Sequence, residues 1–404
     1  MKRILIVLLS FICLFSAYSK KSHSSSTSKS STKTSLPFYV SPGIDSYGSD
    51  PGATPEVIRE RLEALGSDID LRYTDEVKKY IDNYMKNGRR QIATFQVLSQ
   101  YFLPIFEQAL KEAGLPDELK YLPIIESGLD AKATSYAGAG GLWQIMPSVA
   151  RGVGMTVNST LDERRDPYIA SKNAVDMLKK AYQKFGDWGL ALASYNCGPG
   201  TLGKALKRAG GDPKSHDFWT VYNYLPGQTR AYVPKFIAIV YVMNYFEEHN
   251  VPRVDVPHYA TDTIRVTEKM SLSKLAPKLN VSLADLKALN PQFSTDVVPA
   301  TASRPCNIIL PQAAALAYKN QKDLPDFLRD NNQPLIAAAD PVKPVETNSQ
   351  GSGKNQGKKH NPNSANYEDV PSSSMPGVMT RQRKTVDTQD IEDGDTFGFI
   401  NSIR

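Results

Sequence analysis

The sequence predicts a mainly α domain followed by a small α+β module, and three observations support this prediction. Apolar residues recur at helical spacing over residues 56–250, and glycines stand where the periodic segments end. Short β-prone segments then flank two helical patterns within residues 258–312, which indicates a β-α-α-β order. Residues 20–55 and 330–404 are too polar to build a core, so we expect a flexible Ser/Lys-rich leader and a disordered tail.

The first 19 residues have the pattern of a secretory signal peptide. Two basic residues precede an apolar run over residues 4–17, and Ala17 and Ser19 are the small residues of a cleavage site. The alternative is an uncleaved anchoring helix, although the run is short for a membrane span. We therefore expect secretion across the inner membrane, to the periplasm or cell envelope.

Composition narrows the classes of function. The net charge of +6 only weakly favours an acidic polymer as partner, and no basic cluster interleaved with aromatics indicates nucleic acid. The five histidines are scattered without ligand spacing, so we predict no metal site. Cys197 and Cys306 are too few for a disulfide scaffold, and Cys197 is more typical of a small residue at a helix end than of a nucleophile.

The first domain is predicted to be a set of helices ended by glycine or glycine-proline segments. The expected helices are Thr74–Gly88, Thr94–Ala113, Asp117–Ser127, Pro147–Val153, Pro167–Phe185, Trp188–Tyr195, Thr201–Ala209 and Thr229–His249.

Glu126 is the candidate for chemistry in this domain. In a helix over Asp117–Ser127 it shares one face with Leu119 and Leu122 and, one turn earlier, with Leu115. A carboxylate on a core-facing stripe should have a raised pKa, which suits a general acid near neutral pH. The alternative is a partly buried glutamate that caps a neighbouring helix, and the spacing alone favours that alternative.

Five segments in order resemble those of the family 1 lytic transglycosylases, over roughly residues 70–250. They are Glu126-Ser127, SYAGAGGLWQIMP (135–147), DERRDP (162–167), ASYNCGPG (193–200) and LPGQTRAYVPK (225–235). The resemblance implies a lysozyme-like, mainly α fold with a sugar-binding groove. It also implies that the enzyme cleaves the β-1,4 bond between N-acetylmuramic acid and N-acetylglucosamine in peptidoglycan, and leaves a 1,6-anhydro end.

This resemblance also implies partners and cofactors. Peptidoglycan glycan strands are the expected partner, nucleic acid is not, and envelope or cell-wall machinery stays open as a partner class. No metal or organic cofactor is expected, and the oligomeric state is not predicted.

The family positions assign roles around Glu126, the catalytic acid and then base. Ser127 follows it and is expected to bind the N-acetylmuramic acid side, with hydrogen bonding to the helix backbone as an equal alternative. Gln144 is expected to bind sugar, the alternative being a structural amide. Met146 packs either an N-acetyl group or the core.

Three further residues are expected in the same groove. Tyr195 and Asn196 should lie near Glu126, with the tyrosine hydroxyl directed at its carboxyl, and Tyr232 should line the cleft. Two departures from the family pattern are Gln228, where glutamate is usual, and Cys197, where alanine is usual.

Other residues in the segments are expected to be structural. Trp143 is predicted to lie in the core rather than to stack on sugar. Asp162, Arg164 and Arg165 are predicted to fix a loop by ion pairing.

The C-terminal module resembles LysM, a binder of N-acetylglucosamine-containing glycans, over about residues 260–311. Its predicted strands are Thr263–Thr267 and Asn307–Leu310, and its predicted helices, Ser271–Leu279 and Ser282–Leu289, each open with a capping serine. Glycan binding by the module and a spacer role without binding are both open.

Two rival functions stay open for the whole chain. A hydrolytic muramidase would need a second acid to order a water molecule. A non-catalytic peptidoglycan-binding protein would be indicated by loss of Glu126, which is present.

Overall fold

The computed structural model describes residues 48–210, 215–256 and 258–320. The predicted signal peptide at 1–19, the predicted leader up to residue 47 and the predicted tail at 330–404 lie outside the described residues. Within the described part of the chain, no helix combines the length and apolarity needed to cross a membrane.

The first region is built from α-helices joined by short loops. In chain order these are α1 (Pro55–Ala64), α2 (Asp75–Asn87), α3 (Arg89–Ala113), α4 (Leu122–Ser127), α5 (Pro147–Gly152), α6 (Pro167–Phe185), α7 (Trp188–Cys197), α8 (Pro199–Ala209), α9 (Phe218–Val221) and α10 (Gly227–Tyr245). Helices α1 and α9 were not predicted as separate elements.

The predicted helix over Asp117–Ser127 is in fact two helices. A 3₁₀-helix over Asp117–Tyr121 leads into α4. Pro123 stands in the first turn of α4 and has no N–H with which to continue an α-helical ladder from the preceding turn. Gly128 then ends α4 in the left-handed conformation, with φ of +62°. This short helix presents Glu126 in its last turn.

Helix α10 lies at the centre of the first region. From Thr229 to Val242 most of its side chains are buried, and it packs against α2, α7 and α4. A helix that is apolar on nearly every face belongs inside a domain, which explains why its apolar pattern is almost continuous.

The C-terminal region has the predicted β-α-α-β order with three added elements, two short strands and a final helix. Its segments are β1 (Thr261–Val266), β2 (Met270–Ser271), α11 (Leu272–Lys278), α12 (Leu283–Leu289), β3 (Val297–Val298), β4 (Cys306–Pro311) and α13 (Gln312–Asn320). Strands β1 and β4 pair antiparallel with Ile264 opposite Ile308, and β2 pairs antiparallel with β3. The predicted fold class, a mainly α domain followed by a small α+β module, is confirmed.

One of the two predicted serine caps in this region is correct. The Ser282 side chain accepts a hydrogen bond from the Asp285 N–H at the start of α12. Ser271 makes no such bond and instead donates from Oγ to Asp296, whose other carboxylate oxygen accepts the Ser273 N–H. A carboxylate from a distant loop therefore caps α11.

Candidate active site

Glu126 is held against the core by the short helix that carries it. Leu119 and Leu122 are fully buried beneath it, whereas Glu126 itself is partly exposed. Leu115 lies before the 3₁₀-helix and is only partly buried, so it is not part of one continuous helical stripe as predicted. The carboxyl group therefore sits at the edge of the core and not on the open surface.

The Tyr232 hydroxyl donates a hydrogen bond to Glu126 Oε1. Burial raises the pKa of Glu126 to about 7, and the Tyr232 hydrogen bond opposes this rise without cancelling it. No charged group among the described residues adds to these two causes. The carboxyl thus holds its proton up to neutral pH, as predicted from the sequence, and the cause is removal from water rather than a neighbouring acid.

Tyr195 is close to Glu126, but its hydroxyl is directed elsewhere. It donates to the Trp143 carbonyl oxygen at 2.7 Å. Burial, followed by the negative charge of Glu126, raises the pKa of Tyr195 far above its ordinary value. The predicted direction of this hydroxyl is therefore wrong: Tyr232 contacts the carboxyl, and Tyr195 fixes the loop that carries Trp143.

Asn196 connects two of the five sequence segments. Its Oδ1 accepts a hydrogen bond of 3.0 Å from Thr229 Oγ1, and Thr229 is buried in the first turns of α10. Since Tyr232 lies one turn further along α10, this bond fixes the end of α7 relative to the tyrosine that contacts Glu126.

The glycine-rich loop, residues 133–145, is shaped around the Arg164 side chain. Arg164 Nη1 donates to the carbonyl oxygens of Gly138 at 2.7 Å and Ile145 at 3.0 Å. A Cβ at Gly140 would lie 2.9 Å from Arg164 Cζ, and a Cβ at Gly141 would lie 1.9 Å from the Arg164 carbonyl oxygen. These glycines are therefore required by close approach of the loop to Arg164.

Asp162 holds Arg164 in place, as predicted. Its two carboxylate oxygens accept bonds of 2.9 and 2.8 Å from Arg164 Nε and Nη2, and Arg165 Nε contacts the same carboxylate at 3.2 Å. Burial alone would raise the pKa of Asp162, but the two guanidinium groups outweigh burial and hold the pKa below its ordinary value. The ion pairs fix the loop, and the pair with Arg164 is almost fully removed from solvent.

Gln144 stands at the end of the glycine-rich loop in a left-handed conformation, with φ of +46°. Its Nε2 donates to the Gly141 carbonyl oxygen at 2.8 Å, and its Oε1 is buried with no hydrogen-bond donor in the described part of the chain. A strained backbone and an unsatisfied acceptor at one residue are more typical of a functional position than of a structural amide.

Ser127 is the site prediction that the structure contradicts most directly. Its side chain is 4% exposed, and its hydroxyl faces the carbonyl oxygens of Pro123 at 3.1 Å and Leu142 at 2.9 Å. The alternative of backbone bonding therefore describes Ser127, because the hydroxyl joins α4 to the glycine-rich loop and is inaccessible to a sugar.

Trp143 and Met146 differ in exposure, the first being buried and the second exposed. Trp143 is fully buried, donates from Nε1 to Ser171 Oγ at 2.9 Å and meets the Phe106 ring edge-on, so its predicted core role is confirmed. Met146 is 38% exposed, which excludes the alternative that it fills the core.

Cys197, Cys306 and Gln228 are the other residues that the sequence pattern singled out. Cys197 and Cys306 are free thiols, and burial raises the pKa of Cys197, so its thiol is protonated at neutral pH. Gln228 is exposed near the start of α10. In the described ranges, no group of three or more His, Cys, Asp or Glu side chains is arranged to hold a metal ion.

Two family models match the chain, and they follow the two structural regions. Residues 104–218 match the model described as transglycosylase SLT domain. Residues 260–326 match the model described as lytic transglycosylase MltD, LysM-like domain, so the resemblance drawn from the sequence is confirmed for both regions.

The curated relatives are similar over part of their length. The chain is 31% identical over 219 residues to membrane-bound lytic murein transglycosylase D of Escherichia coli strain K12, which covers 54% of this chain and 48% of that protein. It is 28% identical over 124 residues to a putative tributyltin chloride resistance protein of Alteromonas sp. strain M-1, which covers 30% of this chain and 56% of that protein. The chain thus spans about half the length of the curated relatives it matches.

Two of the solved structures with some likeness are lytic transglycosylases. The 70 kDa enzyme of Escherichia coli has a TM-score of 0.32 and 21% identity and covers 44% of this chain and 32% of its own. The Slt enzyme of Pseudomonas aeruginosa has a TM-score of 0.31 and 18% identity and covers 52% of this chain and 40% of its own.

The SLT domain as matched contains Glu126, Gln144 and Tyr195, but it ends before Tyr232 and Thr229. The sequence predicts Tyr232 in the cleft without its direct contact to Glu126, and it does not indicate Thr229. The helix that carries both residues is predicted from the sequence. Because Thr229 and Tyr232 are three residues apart, they share a face of that helix, and this spacing could have indicated that Thr229 also lies near the site.

Proposed function

We propose that this protein is a peptidoglycan lytic transglycosylase. The substrate bond is the β-1,4 linkage from N-acetylmuramic acid to N-acetylglucosamine, and the product carries a 1,6-anhydro-N-acetylmuramic acid end. The observation that carries the proposal is the single carboxyl of Glu126, with its pKa near 7, inside an SLT domain. Such a carboxyl is protonated in a large fraction of molecules at neutral pH and can act as a general acid.

In the first step Glu126 gives its proton to the glycosidic oxygen, and the bond from that oxygen to C1 of N-acetylmuramic acid breaks. The leaving N-acetylglucosamine takes the proton as a hydroxyl. The carbonyl oxygen of the substrate's own N-acetyl group stabilises the positive centre at C1, so the second carboxylate that most glycosidases use is not required. The Tyr232 hydroxyl, which donates to Glu126, stabilises the carboxylate that this step creates.

In the second step the Glu126 carboxylate takes the proton of the C6 hydroxyl, and the C6 oxygen bonds to C1. The carboxyl is regenerated, and no water enters the product. A hydrolase would instead need a group that orders a water molecule on C1. The pKa of Glu126 carries no contribution from a second acid in the described residues, which favours the non-hydrolytic reaction over a hydrolytic muramidase.

Gln144 is proposed to bind the N-acetyl or hydroxyl groups of the sugar beside the scissile bond. Its backbone is held by the glycine-rich loop, and its Oε1 lacks a donor within the described residues. Met146, exposed two residues further, is proposed to contact the apolar part of an N-acetyl group. Tyr195 and Asn196 are proposed to form the adjoining wall of the groove, where Tyr195 positions the Trp143 backbone.

The setting proposed for this reaction is the periplasm or cell envelope, where peptidoglycan lies. The predicted signal peptide and the MltD-type LysM-like domain support it. Binding of peptidoglycan glycan strands by the LysM-like domain would raise the local concentration of the SLT domain on its polymer.

Digestion of purified peptidoglycan sacculi tests the proposal, with the soluble products read by mass spectrometry. We expect anhydromuropeptides from the wild type, none from Glu126→Gln, and unchanged release from Glu112→Gln, which alters an exposed acid on α3. Reducing-end products that disappear in Glu126→Gln would instead identify a hydrolase. Binding to sacculi without soluble product would support the non-catalytic alternative.

A further inference from the structure

A loop of the SLT domain is built into the core of the LysM-like domain. Leu161, carried by the loop over residues 156–162, is 4% exposed and belongs to the hydrophobic cluster formed by β1, α11, α12 and β4. It also forms an antiparallel bridge with Phe293. The LysM-like domain therefore packs directly against the SLT domain, because one of its core residues comes from that domain.

Backbone hydrogen bonds fix the register of this contact. The Asp162 N–H donates to the Gln292 carbonyl oxygen at 2.8 Å, and the Ser294 N–H donates to the Thr160 carbonyl oxygen at 3.1 Å. The Arg304 guanidinium adds a side-chain bond to Thr156 Oγ1. We call residues 290–294 the module turn, and it holds the 156–162 loop as a neighbouring strand would.

The module turn is itself held rigidly. Asn290 is 1% exposed, its Nδ2 donates to the carbonyl oxygens of Leu286 at 2.8 Å and Ile309 at 2.7 Å, and its Oδ1 accepts the Ile309 N–H at 2.8 Å. Leu289 and Ile309, on either side of these bonds, are buried in the core cluster of the SLT region. Each domain thus contributes apolar side chains to the core of the other.

The 156–162 loop is connected by hydrogen bonds to the glycine-rich loop that carries Gln144. Asp162 accepts the bonds of Arg164, and Arg164 holds the carbonyl oxygens of Gly138 and Ile145 on either side of Gln144. The chain of contacts from the module turn to the glycine-rich loop therefore passes through one backbone bond and one buried ion pair. Each step in it is a direct hydrogen bond of 3.0 Å or less.

The segment after the catalytic helix meets the same face of the LysM-like domain. Leu129 and Lys132 face Ala288 and Pro291 across a cleft of about 250 Å³. Residues 129–132, which lead directly into the glycine-rich loop, therefore lie beside the end of α12 and the module turn.

We propose that the LysM-like domain is a positioning element of the catalytic groove, and that Leu161 with the module turn fixes the glycine-rich loop relative to Glu126. This inference rests on the proposed transglycosylase function only where its test measures kcat. Leu161 and the module turn are positioning residues, because they act through Asp162 and Arg164 and do not touch the substrate.

The test compares two full-length variants that remove the same atoms from the same core. Leu161→Ala removes the side chain that the SLT domain contributes, and Leu275→Ala removes a side chain of α11 that is 5% exposed in the same cluster. Amide hydrogen exchange is read at Gly140, Gly141 and Ile145, whose N–H groups bond the carbonyl oxygens of Ile145, Ala133 and Gly140. We expect exchange at these amides to accelerate by about tenfold in Leu161→Ala and to stay at the wild-type rate in Leu275→Ala.

Kinetics on a soluble peptidoglycan fragment give the catalytic readout. We expect Leu161→Ala to lower kcat by about tenfold with little change in KM, since a groove misplaced by a fraction of an ångström loses rate before it loses binding. Leu275→Ala should keep the wild-type kcat. If Leu161→Ala does not fold, Arg304→Ala replaces it, with Lys319→Ala as its control, since both residues are exposed and each makes one side-chain contact.

Equal exchange and equal kcat in the two variants of a pair would overturn the positioning role. The exchange measurement does not depend on activity. A wild type that yields no anhydro product would therefore refute the proposed function. The structural coupling between Leu161 and the glycine-rich loop would still be decided by the amide exchange rates.

Discussion

Tyr232 and Glu126 are 106 residues apart in the chain, and the Tyr232 hydroxyl donates a hydrogen bond to the Glu126 carboxyl. The two residues belong to α10 and α4, whose packing places a neutral donor against an acid at the edge of the core. Burial keeps the acid protonated near neutral pH, and the tyrosine stabilises the carboxylate once the proton has left. This pair therefore suits the acid and base roles proposed for Glu126.

Tyr232→Phe removes the hydrogen bond that opposes the effect of burial. The pKa of Glu126 should rise above about 7, so the alkaline limb of kcat/KM should move to higher pH than in the wild type. The rate at the optimum should fall by about tenfold, the usual cost of losing a hydrogen bond to a charged group. A pH profile of kcat/KM on a soluble fragment measures both effects.

Tyr195→Phe is the control for that profile, because the Tyr195 hydroxyl bonds a backbone carbonyl and not the carboxyl. Its alkaline limb should stay where the wild-type limb is. A limb that moves to lower pH in Tyr232→Phe would contradict the assigned direction of the hydrogen bond.

Glu126→Gln should change how stability depends on pH. The folded state holds the Glu126 proton up to about pH 7, whereas the unfolded chain loses it near the ordinary value of 4.5. Stability from this group is therefore complete below about pH 4.5 and is lost as pH rises through 7. The glutamine does not titrate, so the variant should exceed the wild type in free energy of unfolding by about 1–3 kcal/mol at pH 8 and match it at pH 4.

Urea denaturation of both proteins at the two pH values measures this difference. A glutamine variant that is less stable than the wild type at pH 8 would show that the carboxylate is well solvated, and the general-acid assignment would lose its electrostatic basis.

Local features of the chain could be predicted from the sequence, and contacts between distant elements could not. Trp143 was placed in the core and the ion pairs of Asp162 were predicted, since both follow from residue types within one short segment. The sequence prediction directs the Tyr195 hydroxyl at the Glu126 carboxyl, and this is wrong. Which of Tyr195 and Tyr232 reaches the carboxyl depends on how α7 and α10 are rotated about their axes. No local pattern specifies that rotation.

The insertion of Leu161 into the LysM-like core shows the same limit at the level of domains. Its segment reads as a loop, and an apolar residue in a loop carries no signal for which core receives it. Ser127 shows a different limit, since a serine at a helix end suits both backbone and ligand bonding, and only its burial distinguishes the two.

Gly141→Ala should be strongly destabilising. Its φ of +77° already disfavours a side chain, and the added Cβ would lie 1.9 Å from the Arg164 carbonyl oxygen. We expect a loss of more than about 3 kcal/mol in the free energy of unfolding. Gly154→Ala is the matched control, because its φ is +84° and no atom lies within 4 Å of the added Cβ, so about 1 kcal/mol is expected. Equal losses would show that the loop does not approach Arg164 closely.

Asp162→Asn should cost about 3–5 kcal/mol of stability, because it leaves the buried Arg164 guanidinium without its countercharge. Asp70→Asn breaks an exposed ion pair with Arg72 and should cost less than about 1 kcal/mol. Thermal unfolding followed by circular dichroism compares the two variants. A cost for Asp162→Asn no larger than that for Asp70→Asn would mean that the ion pair does not fix the loop.

Gln228→Glu restores the carboxylate that is usual in the family segment. Gln228 is exposed, and the hydroxyl of Tyr232 already bonds Glu126, so we expect kcat and KM to change by less than about twofold. Steady-state kinetics at pH 6 and pH 8 measure this. A gain of tenfold or more would show that residue 228 takes part in the reaction.

In the proposed reaction, Glu126 closes the C6 oxygen onto C1 without water. Digestion of a purified peptidoglycan fragment in ¹⁸O-labelled water, followed by mass spectrometry, tests whether water enters the product. We expect products that are one water lighter than the hydrolysis product, carry no label and are absent with Glu126→Gln. Labelled reducing-end products from the wild type would contradict it and would show that water attacks C1.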